Sequence, residues 1–145
     1  KGILMKLSPY LNFDGKAEEA FNFYRSVFGG EFSSLMRYKD MQSSENPVAE
    51  EELNRIMHIS LPLGEDAVLM ASDISAAQGM KIIEGNTNYI SLQPDSVEQG
   101  RELFTKLSAG GKVEMPFEKM FWGDFFASFA DKFGILWMIN VEDKK

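Results

Sequence analysis

The sequence predicts an α+β fold built from two copies of one unit, each reading strand, helix, strand, strand, strand. Three observations predict it. Two segments with helical spacing end in a double glycine, Gly29-Gly30 and Gly110-Gly111. Each follows a short strand-like segment that closes on an aspartate, Asp14 or Asp95. Two hairpins, "SLPLGEDAVLM" (60–70) and "SFADKFGILWM" (128–138), align without a gap, with Ser60 on Ser128 and Met70 on Met138.

Taken in chain order, the first strand is expected within "LSPYLNFD" (7–14). The helix after it, 17–30, carries Ala17, Ala20, Phe21, Tyr24, Val27 and Phe28 on one stripe and stops at its glycines. "EFSSLMRY" (31–38) is the next strand. A polar excursion, "KDMQSSENPVAEEELN" (39–54), separates it from the hairpin. Asn46 as N-cap and Pro47 at the first helical position predict one short helical turn in a mobile loop, a candidate lid. After the hairpin, "SDISAAQGMKIIEGN" (72–86) reads as a linker.

The second copy opens with "NYISLQPD" (88–95), where alternation sends Ile90 and Leu92 to the helix side and Tyr89, Ser91 and Gln93 to the other. Its helix, 97–111, has Val97, Leu103, Phe104 and Leu107 in register, with Asp95-Ser96 as the cap. "KVEMPFEKM" (112–120) is a weaker strand. The final hairpin turns at Asp131-Lys132-Phe133-Gly134, which sets Met138 inside the last strand.

Composition narrows the function. With 145 residues the chain buries a sufficient core without a staple. It has no cysteine, which excludes thiolate nucleophiles and thiolate metal sites and suits a cytoplasmic location. The net charge of -7, with no basic cluster, argues against nucleic acid as a partner. Apolar runs are only a few residues long, so no membrane span or signal segment is expected.

The doubled unit with its "DxxG" turn resembles the vicinal oxygen chelate superfamily, which includes glyoxalase I, extradiol dioxygenases and bleomycin-resistance proteins. Within it the chain looks like the PhnB-like branch, through "YLNFDGKAEEAFNFYRSVFGGEF", "MHISL", "AVLMASD" and "FWGDFFASFADKFGILWMINV". The resemblance runs from Leu7 to Val141. It implies a single domain over 5–145, with repeat one over about 5–72, a linker over about 73–86 and repeat two over about 87–141. The fold implied is two βαβββ repeats forming a cupped mixed sheet with helices on the outside, the glyoxalase/bleomycin-resistance fold. That fold hosts several chemistries, so the activity must be argued from the site.

Metal-dependent relatives carry four ligands drawn from His, Glu and Gln, one on the first and last strand of each unit. Counting from the helices and turns places those positions at Pro9, Met70, Tyr89 and Met138. None is a hard oxygen or imidazole donor, and thioethers suit Cu(I) rather than Zn, Ni, Fe or Mn. The expectation is therefore no metal and no cofactor, with Met70 and Met138 as apolar walls.

The remaining candidates follow from side-chain chemistry. His58 is the single histidine and the first choice for a general base, although a lone histidine is more often simply packed. In "FWGD", Trp122 offers a stacking face and Asp124 an acceptor or base, or a cap for the turn. Arg37 and Arg55 are anion candidates whose default is solvation.

The expected ligand site lies between the two sheet halves, lined by Met70, Tyr89, Ser91, Gln93, Trp122 and Met138, with His58 and Asp124 beside them. The expected function is binding of an unknown small molecule without the usual metal ligands. The alternatives are a metal-independent enzyme of small-molecule metabolism using His58 and Asp124, and a purely structural or partner-binding domain. The acidic composition weakly favours a cationic ligand. Some PhnB-like relatives carry a demethylubiquinone methyltransferase label, but no glycine-rich loop follows a strand here to hold a methyl donor. The phenylalanine-rich "FWGDFFASF" segment and open strand edges predict a homodimer.

Overall fold

A computed structural model describes residues 2–45 and 47–143. Asn46, the expected N-cap of the excursion, lies outside the described residues. The chain forms two compact units, one ending at Ile83 and the other starting at Glu84.

The first unit contains β1 (Tyr10–Phe13), α1 (Ala17–Phe28), β2 (Ser34–Arg37), β3 (Ile56–Leu63) and β4 (Ala67–Asp73). The second contains β5 (Ile90–Leu92), α2 (Val97–Leu107), β6 (Lys112–Lys119), β7 (Phe125–Ala130) and β8 (Leu136–Val141). Their sheets have matching orders, β1-β4-β3-β2 and β5-β8-β7-β6. In each, the first strand runs parallel to the last and the other pairs are antiparallel. The fold is the α+β doubling of βαβββ that the repeat predicts.

Alternation decides which face of the first sheet meets its helix. Leu69, Ala71 and Asp73 are buried along β4, and Ile59 and Leu61 lie opposite Ala71 and Leu69. They pack with Ala17, Ala20, Phe21 and Tyr24, the apolar stripe of α1, all fully buried. Asp73, at the end of β4, ties these parts together. Its Oδ1 accepts the N–H of Ala17 at 3.0 Å, and its Oδ2 accepts that of Ile56 at 2.9 Å. The first free donor of α1 is thus satisfied by a residue 56 positions away.

In the second unit Ser96 caps α2 as expected, its Oγ accepting the N–H of Gln99 at 3.1 Å. The buried Gly100 lets α2 approach its sheet, because a Cβ there would lie 2.7 Å from Val141 Cγ2 and 3.0 Å from the Phe117 ring. At the last hairpin, Asp131 Oδ1 accepts the N–H groups of Phe133 and Ile135. β6 fills all but the last residue of the segment read as a weaker strand. Pro116 is tolerated there because β6 is an edge strand with register shifts on either side of Met115.

The excursion is built differently from expectation. It holds two 3-10 turns, Tyr38–Met41 and Glu50–Glu52, the second beginning after Pro47 rather than at it. Tyr38 N–H donates to Arg55 O, and Lys39 N–H donates to Leu53 O, closing its two ends on each other. Glu52 is buried, and its carboxylate accepts the Ser75 hydroxyl at 2.7 Å and the Ala76 N–H at 2.8 Å. Those contacts hold the carboxyl below the usual range, the Ser75 hydrogen bond contributing most against the opposing cost of burial.

Candidate functional site

In the first unit, the sheet face away from α1 carries the polar and soft side chains. Met70 is partly exposed between buried Leu69 and Ala71, and Ser60 lies directly opposite it. In the parallel pair, Tyr10 is the Cα partner of Met70, and Asn12 that of Ser72. Counting from the helix placed Pro9 beside Met70. The register corrects this to Tyr10, and Pro9 instead supplies the carbonyl that accepts the Met70 N–H.

Tyr10, which is 46% exposed, reaches over β4 toward β3. Its hydroxyl meets Ser72 Oγ and lies 3.0 Å from His58 Nδ1. Ser72 Oγ in turn donates to the carbonyl of Met57 at 2.6 Å. His58 is therefore held in a network on the face away from α1. Sequence reasoning set Tyr10 aside as a metal ligand and singled out neither it nor Ser72 as a partner of His58, although alternation was a signal. Tyr10 and Asn12 alternate with Leu11 and Phe13, and Ser72 stands between buried Ala71 and Asp73.

The second unit places its candidates on the corresponding face. Ser91 is the partner of Met138, so the position counted as Tyr89 falls two residues further on. Ile90 and Leu92 pair with buried Trp137 and Ile139, on the other face. Ser91 Oγ accepts a hydrogen bond from Gln93 Nε2 at 2.6 Å. The Tyr89 hydroxyl donates to Glu114 at 2.7 Å, and this contact holds the phenol above its ordinary pKa.

Trp122 is half exposed and stands edge-on to Phe126, with ring centroids 6.2 Å apart. Asp124 has two roles. Its carbonyl accepts the Met120 N–H at 2.8 Å and closes the turn, while its Oδ2 accepts the Asn140 side-chain amide at 3.1 Å. Asn140, on β8, and Glu114, on β6, are further polar contacts that the sequence did not single out.

The two arginines are engaged rather than free. Arg37 makes a two-pronged pair with Glu18, at 2.9 and 2.8 Å, which holds the Glu18 carboxyl below the usual range. Arg55 pairs with Asp14 at 2.7 Å and donates to Ile74 O. A separate cleft of about 220 Å³ lies beside the excursion, with Tyr38, Met41, Val48, Glu52, Met57 and Ala77 in its lining.

The chain matches the family described as the Glyoxalase/Bleomycin resistance protein/Dioxygenase superfamily over residues 6–139, and it belongs to that superfamily. It is 34% identical over 140 residues to Protein YjdN of Escherichia coli (strain K12), covering 94% of this chain and 95% of that one. The crystal structure of PA1353 from Pseudomonas aeruginosa superposes with a TM-score of 0.82 at 37% identity, over 96% of this chain and 98% of that one. The PhnB protein from Bacillus cereus shares the fold, with a TM-score of 0.71 at 24% identity over 94% and 99% of the two chains.

The metal site implied by metal-dependent relatives can be tested against the donors present. The register assigns Tyr10 and Met70 to one unit and Ser91 and Met138 to the other. The Tyr10 oxygen is taken up by Ser72 and His58, and the Ser91 oxygen by Gln93. In each unit the pair is completed by a soft thioether, which does not fit a hard divalent ion. Among the described residues, no three His, Asp or Glu side chains gather as a metal site.

Proposed function

We propose that this protein binds a small molecule on the helix-distal faces of its sheets, without the metal used by some members of its superfamily. The observation that carries this reading is the pairing of Met70 with Tyr10 and of Met138 with Ser91. At those positions a metal-dependent relative would need hard donors. Here the thioethers offer adaptable apolar walls beside hydrogen-bonding groups, the usual composition of a small-molecule site. In this proposal His58 supplies a polar contact on the first sheet, and Ser91, Gln93 and Tyr89 supply those on the second. Trp122 supplies a stacking surface, and Asp124 an acceptor already oriented by Asn140.

A second reading is a metal-independent enzyme. The network holding His58 favours it, because an oriented imidazole is what a general base requires. Turnover of a bound molecule that is lost in His58→Ala separates this reading from simple binding. A domain that only contacts other proteins would retain no metabolite at all.

The working form we propose is a homodimer located in the cytoplasm. The fully exposed Phe121, half-exposed Trp122 and edge strand β6 support self-association. Light scattering at micromolar concentration should return twice the 16.4 kDa chain mass, and a single-chain mass would contradict the dimer. Cell fractionation tests the compartment.

A further inference from the structure

We propose that Tyr10 and Ser72 fix His58 as its Nδ1–H tautomer, so that an unprotonated Nε2 is presented as the proton acceptor on the sheet face away from α1. The argument is a count of protons. A serine hydroxyl carries one, and Ser72 donates it to the Met57 carbonyl at 2.6 Å. Toward Tyr10, Ser72 Oγ can then only accept, so the single phenol proton of Tyr10 is committed to Ser72. At the 3.0 Å contact with His58 Nδ1 the phenol oxygen must accept, and the proton there belongs to the imidazole.

A neutral imidazole carries one N–H, so this order leaves Nε2 bare. Among the described residues nothing hydrogen-bonds to that nitrogen, and His58 is half-buried. The opposite order would have Tyr10 donate to Nδ1 and Ser72 donate to Tyr10. The Met57 carbonyl would then lose the Ser72 proton, so the relay is anchored by backbone at its far end. His58 is adjacent to Met57 on β3; Tyr10 reaches His58 from β1 across β4, and Ser72 on β4 links Tyr10 to the Met57 carbonyl.

Tyr10 and Ser72 are thus positioning residues, acting through the histidine. Resting on the small-molecule reading above, the ligand class follows: a molecule that turns an N–H, an O–H or an acidic C–H toward His58 Nε2. A ligand offering only acceptors at that point would leave two lone pairs facing each other.

The chain has one histidine, so nitrogen NMR of histidine-labelled protein reads a single imidazole without assignment. The spectrum is recorded at about pH 9, where an imidazole is neutral. Wild-type protein should show a pyrrole-type Nδ1 and an imine-type Nε2. Ser72→Ala frees the Tyr10 proton for Nδ1 and should move the populations toward the Nε2–H form, as should Tyr10→Phe, which removes the acceptor. Ser72→Thr keeps the hydroxyl and should restore the wild-type pattern.

The backbone amide spectrum of each variant confirms that it is folded, and an unfolded Ser72→Ala leaves the decision to Tyr10→Phe. An Nε2–H wild type, or folded variants with an unchanged tautomer, overturns the proposal while leaving small-molecule binding intact. An Nδ1–H imidazole in a protein that retains no small molecule would instead support the proton order and remove the ligand reading.

Discussion

The indole N–H of Trp137 donates to the Asp131 carboxylate at 2.8 Å, and both side chains are buried. Asp131 also accepts the Phe133 and Ile135 N–H groups, so one carboxylate closes the turn and anchors the largest core side chain of its unit. Asp131→Ala would strand the indole donor and two backbone donors. We expect a loss of about 3 kcal/mol or more in urea denaturation, since each stranded buried donor costs roughly 1–3 kcal/mol and the costs are not additive. Trp137→Phe should make the Asp131 deletion milder, because one of the stranded donors is then gone. Equal losses in both backgrounds would refute the coupling.

Gly100 should reverse the usual rule for helices. Replacing an exposed helical glycine with alanine stabilises by about 1 kcal/mol. Here the new methyl would lie 2.7 Å from Val141 and 3.0 Å from Phe117. Gly100→Ala should therefore destabilise by roughly 1–3 kcal/mol through overpacking. A melting temperature equal to or above that of wild type would show that α2 can withdraw from its sheet without cost.

Glu52 makes stability depend on acid. Its folded carboxyl is held below the ordinary value, chiefly by the Ser75 hydroxyl. Its contribution is therefore fully present above the unfolded value, about 4.3, and is lost as pH falls through the lower folded value. Glu52→Gln should be less stable at neutral pH by about 1–3 kcal/mol, because an amide accepts fewer of the three donors and brings N–H groups of its own. The gap between the two proteins should narrow below about pH 4. A pH-independent gap in denaturation midpoints would assign the effect to packing instead.

The repeat was legible because its signals are local: helical spacing, double-glycine endings and two hairpins in the same frame. The alternation that turned Ile90 and Leu92 to one face and Ser91 to the other is also local. What the sequence hid was parallel register. Nothing between Tyr10 and Met70 states which residues pair, and a slip of one residue changes the face presented. Counting from the helix therefore gave Pro9 where the strand places Tyr10, and the relay to His58 was missed with it. The arginines show the same limit. Arg55 finds Asp14 across 41 positions and Arg37 finds Glu18 across 19, contacts that only the folded chain creates.

Purified protein should carry no stoichiometric Zn, Ni, Fe or Mn by elemental analysis, and a chelator should leave its melting temperature unchanged. The donor chemistry of Tyr10, Met70, Ser91 and Met138 motivates this expectation. About one metal per chain would require donors other than these four.

Small-molecule binding on the helix-distal faces is tested most directly by retention of metabolites. The protein is incubated with a metabolite extract, separated from free compounds and denatured, and the released molecules are identified by mass spectrometry. The account predicts one or a few compounds retained saturably by the wild-type chain and lost in Met138→Glu, which sets a charge against the proposed apolar wall. Retention of nothing above a control protein, or equal retention by a folded Met138→Glu, would contradict it.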